Sequence, residues 1–225
     1  MDRSKSGSLT TRACPNRVST RWGWRISIAG NFGKQANCQF AVTLSIANDH
    51  ASLPIAYRLY LPKEWVEDAE RRKKARVPEE IEFKTKPQIA LDQLRAACAA
   101  GVPRGVVLKD SSYGSNSALR AGVSELGLRY VVGIIPTIKV QAVLRRGKLG
   151  KRMSVKRLAR RLPKQAWQTI TWREGTNNVL RSRFARVQVH TAPIRRAAER
   201  PEETLLTQLP VDKTIFGSRW LLRNS

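Results

Sequence analysis

Between Cys38 and Ile135, short apolar runs alternate with two helix-forming patterns, and that alternation leaves few folds open to the chain. The runs "CQFAVTLSIA" and "ASLPIAYRLYL" are β-compatible and joined by Asn48, Asp49 and His50, which predicts a hairpin with the polar trio as its turn. Pro54 has no N–H to donate, so the second strand is expected to be an edge strand or to bend there. The charged connector "PKEWVEDAERRKKARVPEE" predicts a short helix and a loop. After it, "TKPQIALDQLRAACAAG" reads as a helix with Thr85 as N-cap, Pro87 in the first turn and Gly101 as the stop. Ile89, Leu91, Leu94, Ala97 and Cys98 give that helix a broad apolar side. "GVVLKD" is a short strand, and "SNSALRAGVSELG" is a helix capped by Ser115 or Asn116 and stopped at Gly127. "LRYVVGII" is a further buried strand. Two strands, a helix, a strand, a helix and a strand predict an α/β fold, a sheet with helices packed on it.

Within this pattern one acid stands out. Asp110 follows the apolar strand "GVVLKD" directly and opens the tight polar loop "SSYGSN". Ligands and metals gather at the carboxyl ends of strands in such sheets. Asp110 is therefore either a capping or turn residue or one arm of a metal site, and its own position does not decide between the two.

Beyond Pro136 the pattern changes. "SVKRLARRLP" carries Val155, Leu158, Ala159 and Leu162 at helical spacing, with Lys156, Arg157, Arg160 and Arg161 largely on the other side. "QTITW" and "SRFARVQVHTA" alternate as strands do. This predicts a smaller, largely β unit bearing a basic helix, whose charged face either contacts phosphates or is an ordinary solvated face. Lys151 and Arg152 extend the same basic stretch. The whole chain has 42 Lys and Arg against 17 Asp and Glu, a net charge of +25. Such an excess points to a polyanion, most simply DNA or RNA, because neutralising phosphates releases counterions.

The remaining composition sets bounds. With 225 residues the chain can form one large domain, or one domain with an inserted subdomain. Cys14, Cys38 and Cys98 are widely spaced and form no CxxC pair, and His50 and His190 are far apart in sequence, so zinc spacing is absent. This predicts a reduced, intracellular protein. No apolar stretch approaches the roughly 20 residues needed to span a bilayer. The opening "MDRSKSGSLTTRACPNR" lacks the apolar core of a signal peptide and is expected to form no folded element.

Three long stretches carry a resemblance. "GKQANCQFAVTLSIANDHASLPIAYRLYLPKEW", "RRKKARVPEEIEFKTKPQIALDQL" and "VVLKDSSYGSNSALRAGVSELGLRYVVGI" together resemble the DDE-type insertion-sequence transposases, specifically the insertion-sequence 701 group. "TITWREGTNNVLRSRFARVQV" and "RPEETLL" resemble the same family, so the likeness runs from about Gly33 to about Leu206. It implies an RNase H-like mixed sheet with flanking helices, plus a smaller, largely β insertion region. It also implies three acids that hold two divalent ions, Mg2+ or Mn2+, for cleavage and strand transfer on DNA. Hard cations take carboxylate oxygens, and a pair of them clamps the attacking and leaving oxygens of an in-line displacement. The implied partners are the DNA of transposon ends and a second copy of the chain, and the implied location is the cytoplasm at the nucleoid.

Carried over residue by residue, Asp110 matches the family's second acid and would be both catalytic residue and metal ligand. Tyr113 and Gly114 match the tail of that motif, whereas Ser112 stands where the family usually has glycine. The family's first acid lies upstream of "GKQANCQ", in a stretch resembling IIDDTG, and nothing like it occurs between Met1 and Phe32. The third acid belongs to a helix beyond the β region, and Glu125, Glu174, Glu202 and Glu203 do not match it. Thr204 stands where a tryptophan is usual.

A change of reading frame accounts for the first gap. Taking the third base of each codon with the first two of the next, and choosing allowed wobble bases, Met1 to Phe32 can be read as a stretch containing IIDDTG. That reading runs directly into Gly33-Lys34-Gln35, with the acid pair arising across Leu9, Thr10 and Thr11. The expected organisation is thus a non-native or disordered segment over 1–32, a partial catalytic core over 33–138, and a basic, largely β region with a truncated end over 139–225. The expected function is that of a degenerate, inactive transposase fragment. The alternatives are a repurposed basic DNA- or RNA-binding protein, or an enzyme completed by acids from another chain.

Overall fold

The computed structural model describes the backbone of residues 6–15, 25–29, 34–48, 50–174, 179–191, 202–208 and 219–223, and the side chains of 39–48, 50–171 and 181–191. The chain is mixed α/β and divides into two compact units, Met1–Val107 and Leu108–Ser225.

The first unit is organised around one long strand. Its elements are β1 (Ser6–Pro15), β2 (Arg25–Ala29), β3 (Lys34–Ala47), β4 (Ser52–Tyr60), α1 (Lys63–Val66), α2 (Ala69–Lys74) and α3 (Lys86–Ala99). β3 pairs antiparallel with β1 from Ser6 opposite Ala47 to Pro15 opposite Cys38. It pairs with β2 from Arg25 opposite Cys38 to Ala29 opposite Lys34, and with β4 from Phe40 opposite Tyr60 to Ala47 opposite Ser52. The predicted hairpin is present: Asn48 Oδ1 accepts from the N–H groups of His50 and Ala51 at 2.9 and 2.8 Å. Asp49, also expected in the turn, lies outside the described residues. The β3–β4 register shifts between Leu44 and Ser45, beside Pro54, as the missing N–H requires.

Here one expectation is corrected. The opening "MDRSKSGSLTTRACPNR" was expected to form no folded element, yet the backbone of Ser6–Pro15 is extended and paired with β3, as is that of Arg25–Ala29 further on. A strand as long as β3 presents a row of N–H and C=O groups on each edge, and leaving one edge unpaired is unfavourable. Ser6–Pro15, with Leu9, Thr10 and Thr11 at its middle, can adopt the extended backbone that satisfies it.

α3 lies against β3. Thr85 forms a full capping box with Gln88: its Oγ1 accepts from Gln88 N at 3.4 Å, and Gln88 Oε1 accepts from Thr85 N at 2.8 Å. Gly101 stops the helix with φ of +72°. Ile89, Ala90 and Leu94 are buried, as are Val42 and Leu44 of β3, and Gln93 Nε2 donates to Val42 O at 3.0 Å. The charged connector holds a core of its own, in which Leu61, Trp65 and Val77 are buried together. Arg71 stacks over Trp65 at 4.3 Å, and Arg72 Nη2 donates to the carbonyls of Pro78, Glu79 and Ile81.

The second unit is entered through β5 (Val106–Lys109), followed by α4 (Ser111–Gly114), α5 (Ser117–Glu125), β6 (Arg129–Ile134), β7 (Lys139–Ala142), β8 (Met153–Ser154), α6 (Val155–Arg161), β9 (Gln168–Glu174), β10 (Val179–Thr191), β11 (Glu202–Gln208) and β12 (Arg219–Arg223). Its strands run in the order β5-β6-β12-β11-β10-β7-β8, with β9 also paired to β10. Tyr130–Ile134 pairs with Arg219–Arg223, and those strands continue through β11 to β10, so β6 shares one sheet with the strands beyond Pro136.

Candidate metal centre and basic surface

Asp110 stands at the carboxyl end of β5, where its backbone (φ −74°, ψ 179°) turns the chain into α4. It is the N-cap of that short helix. Oδ1 accepts from Ser112 N at 3.1 Å and from Ser112 Oγ at 2.5 Å, while Gly114 N donates to Asp110 O at 3.0 Å. Oδ2 lies 3.6 Å from the ammonium of Lys109. Both carboxylate oxygens thus already have partners.

The turn is pressed onto β6 by two glycines. A Cβ at Gly114 would stand 2.1 Å from Gly133 O, and one at Gly133 would stand 2.8 Å from Ser111 N. Backbone approach this close leaves room for no side chain at either position. The "YG" and "VVGI" of the sequence are therefore the two sides of one contact. Ser115 Oγ accepts from Ile135 N at 3.2 Å, and Arg120, itself buried, donates through Nη1 to Gly114 O at 2.6 Å and through Nη2 to Thr191 Oγ1 at 3.1 Å. Ser112, which stands where the family usually has glycine, closes the loop itself, since its N–H and hydroxyl both donate to Asp110 Oδ1.

Lys109 was not singled out by the sequence reading, although its signal was there. β5 alternates, with Val107 and Lys109 buried and Leu108 and Asp110 exposed. A lysine at an inward position of an apolar strand needs a charge partner. Its side chain is 4% exposed, and Nζ lies 4.3 Å from the centre of the Tyr113 ring. Burial holds the ammonium below the ordinary lysine range, against the opposing pull of the Asp110 charge. For Asp110, burial pushes the carboxyl up, but the Ser112 hydroxyl bond and the Lys109 charge outweigh it, and the group is held below its usual value.

The predicted basic residues lie together in the sequence and are all exposed. Lys151 and Arg152 precede β8, and Lys156, Arg157, Arg160 and Arg161 lie on α6. Buried Val155 and Leu158 anchor this helix, and Ser154 Oγ caps it by accepting from Arg157 N at 3.3 Å. Its first turn is fixed by Val155 N donating to Ile138 O and Lys156 N to Pro136 O. The four α6 cations have no ion-pair partner among the described residues. Sequence reasoning passed over Arg181 and Arg183 of β10, both exposed and two apart in "RSRF", opposite Thr171 and Thr169 of β9.

Fold and surface together define a mixed α/β protein with a sheet-edge carboxylate and a basic second unit. A family model described as DDE superfamily endonuclease matches residues 23–179, more than half of the chain, and the chain belongs to that family. No curated protein matches it. The match covers Asp110 and the basic helix and begins at residue 23, within the segment read as out of frame. The family supports a transposase-like nuclease function and DNA as a partner, and its members generally use divalent metal ions. No helix among the described residues is long and apolar enough to cross a membrane.

The described residues do not fit a divalent ion. Among the described residues no group of three or more His, Cys, Asp or Glu side chains could hold one. Glu125 is exposed at the end of α5, and the side chains of Glu174, Glu202 and Glu203 lie outside the described residues. At Asp110 itself a buried ammonium already faces the oxygen that a cation would use.

Proposed function

We propose that this chain is a degenerate member of the insertion-sequence 701 group of transposases, in which metal-dependent cleavage is lost and nucleic-acid binding by the basic second unit remains. The observation that carries this reading is the engagement of Asp110: its carboxylate caps α4 through Ser112 and pairs with Lys109, so it works as a structural acid. The out-of-frame reading of Met1 to Phe32 adds a second support. Leu9, Thr10 and Thr11, across which the shifted frame spells the acid pair, lie mid-strand in β1, opposite Leu44, Thr43 and Val42 of β3. On this reading the strand that held the first acid persists as backbone while its side chains have been exchanged.

The test is incubation of the purified chain with duplex DNA and Mg2+ or Mn2+. The expected result is binding without cleavage. Metal-dependent cleavage abolished by Asp110→Asn would overturn the reading. Sequencing the coding DNA through codons 1 to 33 tests the frame change separately, since codons that forbid IIDDTG in the shifted frame exclude it.

A second reading is favoured by the exposed cations of α6. Without any acid, Lys156, Arg157, Arg160 and Arg161 equip the chain as a basic DNA- or RNA-binding protein in its own right. The two readings separate at the coding DNA: if the shifted frame does not spell the acid motif, Met1 to Phe32 is a genuine replacement, and a repurposed protein selected for binding is the better account.

A further inference from the structure

We infer that Lys109 is a tethered counter-cation for Asp110, standing where the endonuclease site would take a divalent ion. The geometry is local to one strand end. Lys109 points inward from β5, its side chain 4% exposed, with Nζ 3.6 Å from Asp110 Oδ2 and 4.3 Å from the Tyr113 ring centre. Among the described residues Asp110 is its one ion-pair partner. A buried ammonium without a counter-charge is strongly unfavourable, and the face of an aromatic ring compensates only in part. Asp110 is therefore required by Lys109, in addition to capping α4.

The same arrangement opposes a metal. Mg2+ binds carboxylate oxygen at about 2.0–2.1 Å. An ion there would share Oδ2 with the ammonium, and the two like charges would repel at short range. Oδ1 offers no easy alternative, because it already accepts two bonds from Ser112. The electrostatic sign of the site is thus inverted. In a cluster of carboxylates awaiting a metal, replacing one by its amide relieves repulsion and stabilises the empty protein. Here the same replacement leaves a buried ammonium unpaired and destabilises it.

This inference extends the reading of Asp110 given above, but its test is separate: cleavage tests that reading, and melting temperature tests this one. The full chain would be compared with Asp110→Asn, Lys109→Met and the double variant, by thermal melting at neutral pH with and without millimolar Mn2+. Asparagine caps a helix as well as aspartate does, so loss of the cap does not confound the result. Methionine fills the lysine's buried path without a charge. The expected result is a melting temperature lowered by roughly 5 °C in Asp110→Asn. The same change should have little effect when Lys109 is already methionine, and Mn2+ should leave the wild-type temperature unchanged. A rise in Asp110→Asn, an equal fall in both backgrounds, or an Asp110-dependent rise of the wild type with Mn2+ would each overturn it.

Discussion

Two charged places in the second unit use charge in opposite ways. At the end of β5, Asp110 and Lys109 face each other, and Ser112 of the turn bonds to the same carboxylate through its N–H and hydroxyl. On α6, Lys156, Arg157, Arg160 and Arg161 project into solvent from a helix held by two apolar side chains, Val155 and Leu158. Charge that is matched internally contributes to one conformation and is withdrawn from ligands. Charge left unmatched adds little to stability, and remains available to a polyanion. The family's expected chemistry concerns the first place, whereas the second displays part of the chain's excess of positive charge.

The largest effect expected from breaking this contrast is at Gly114. An alanine there would put its Cβ 2.1 Å from Gly133 O and 2.7 Å from Val132 Cβ, both fixed by the β6 strand. Neither can move without opening the α4–β6 contact, so Gly114→Ala should lower stability by about 3 kcal/mol or prevent folding, measured by urea unfolding. A loss below about 1 kcal/mol would mean that the turn is not rigidly built, and the contrast with α6 would weaken.

A smaller effect is expected from pH. The folded-state pKa of Asp110 is depressed below 3.8, so the stabilisation it gives is present above the unfolded value and lost as pH falls through the folded one. The stability gap between wild type and Asp110→Asn should therefore be open near neutrality and close under acid conditions. The carboxylate side chain is 65% exposed, so solvent screens the pair and the acid-dependent part will be modest. A gap that persists unchanged at low pH would show that the amide acts through something other than the missing charge.

Much of this was legible in the chain, for reasons that differ from element to element. Thr85 with Gln88, Asn116 with Leu119 N, and Gly101 and Gly127 at positive φ are local devices that need no tertiary partner, so the sequence displays them directly. The basic side of α6 follows from helical spacing alone. β1 was not legible, because "SGSLTTRACP" shows no apolar alternation, and only the open edge of β3 makes a strand of it. The pairing of β6 with β12 joins residues far apart in sequence, so no local pattern announces it. At the site, Asp110 was identifiable from the strand end, but its meaning depended on Lys109. That residue reads as a charge on a surface until alternation and burial place it inward.

The smallest effect on stability is expected at α6, and there it discriminates best. Changing Lys156, Arg157, Arg160 and Arg161 together to glutamine removes four positive charges from positions without an ion-pair partner among the described residues. Val155 and Leu158 stay in place, and glutamine is a good helix former, so stability should change by no more than about 0.5 kcal/mol. Binding to duplex DNA should respond quite differently. Each phosphate that is no longer neutralised lowers the slope of log affinity against log salt by roughly 0.9, so the slope should fall by about 3 to 4 if all four side chains engage phosphates. Unchanged binding would place the polyanion interface elsewhere, with exposed Arg181 and Arg183 of β10 the next to change. A marked loss of stability would show that the α6 charges are matched internally after all, and the two places would no longer differ in kind.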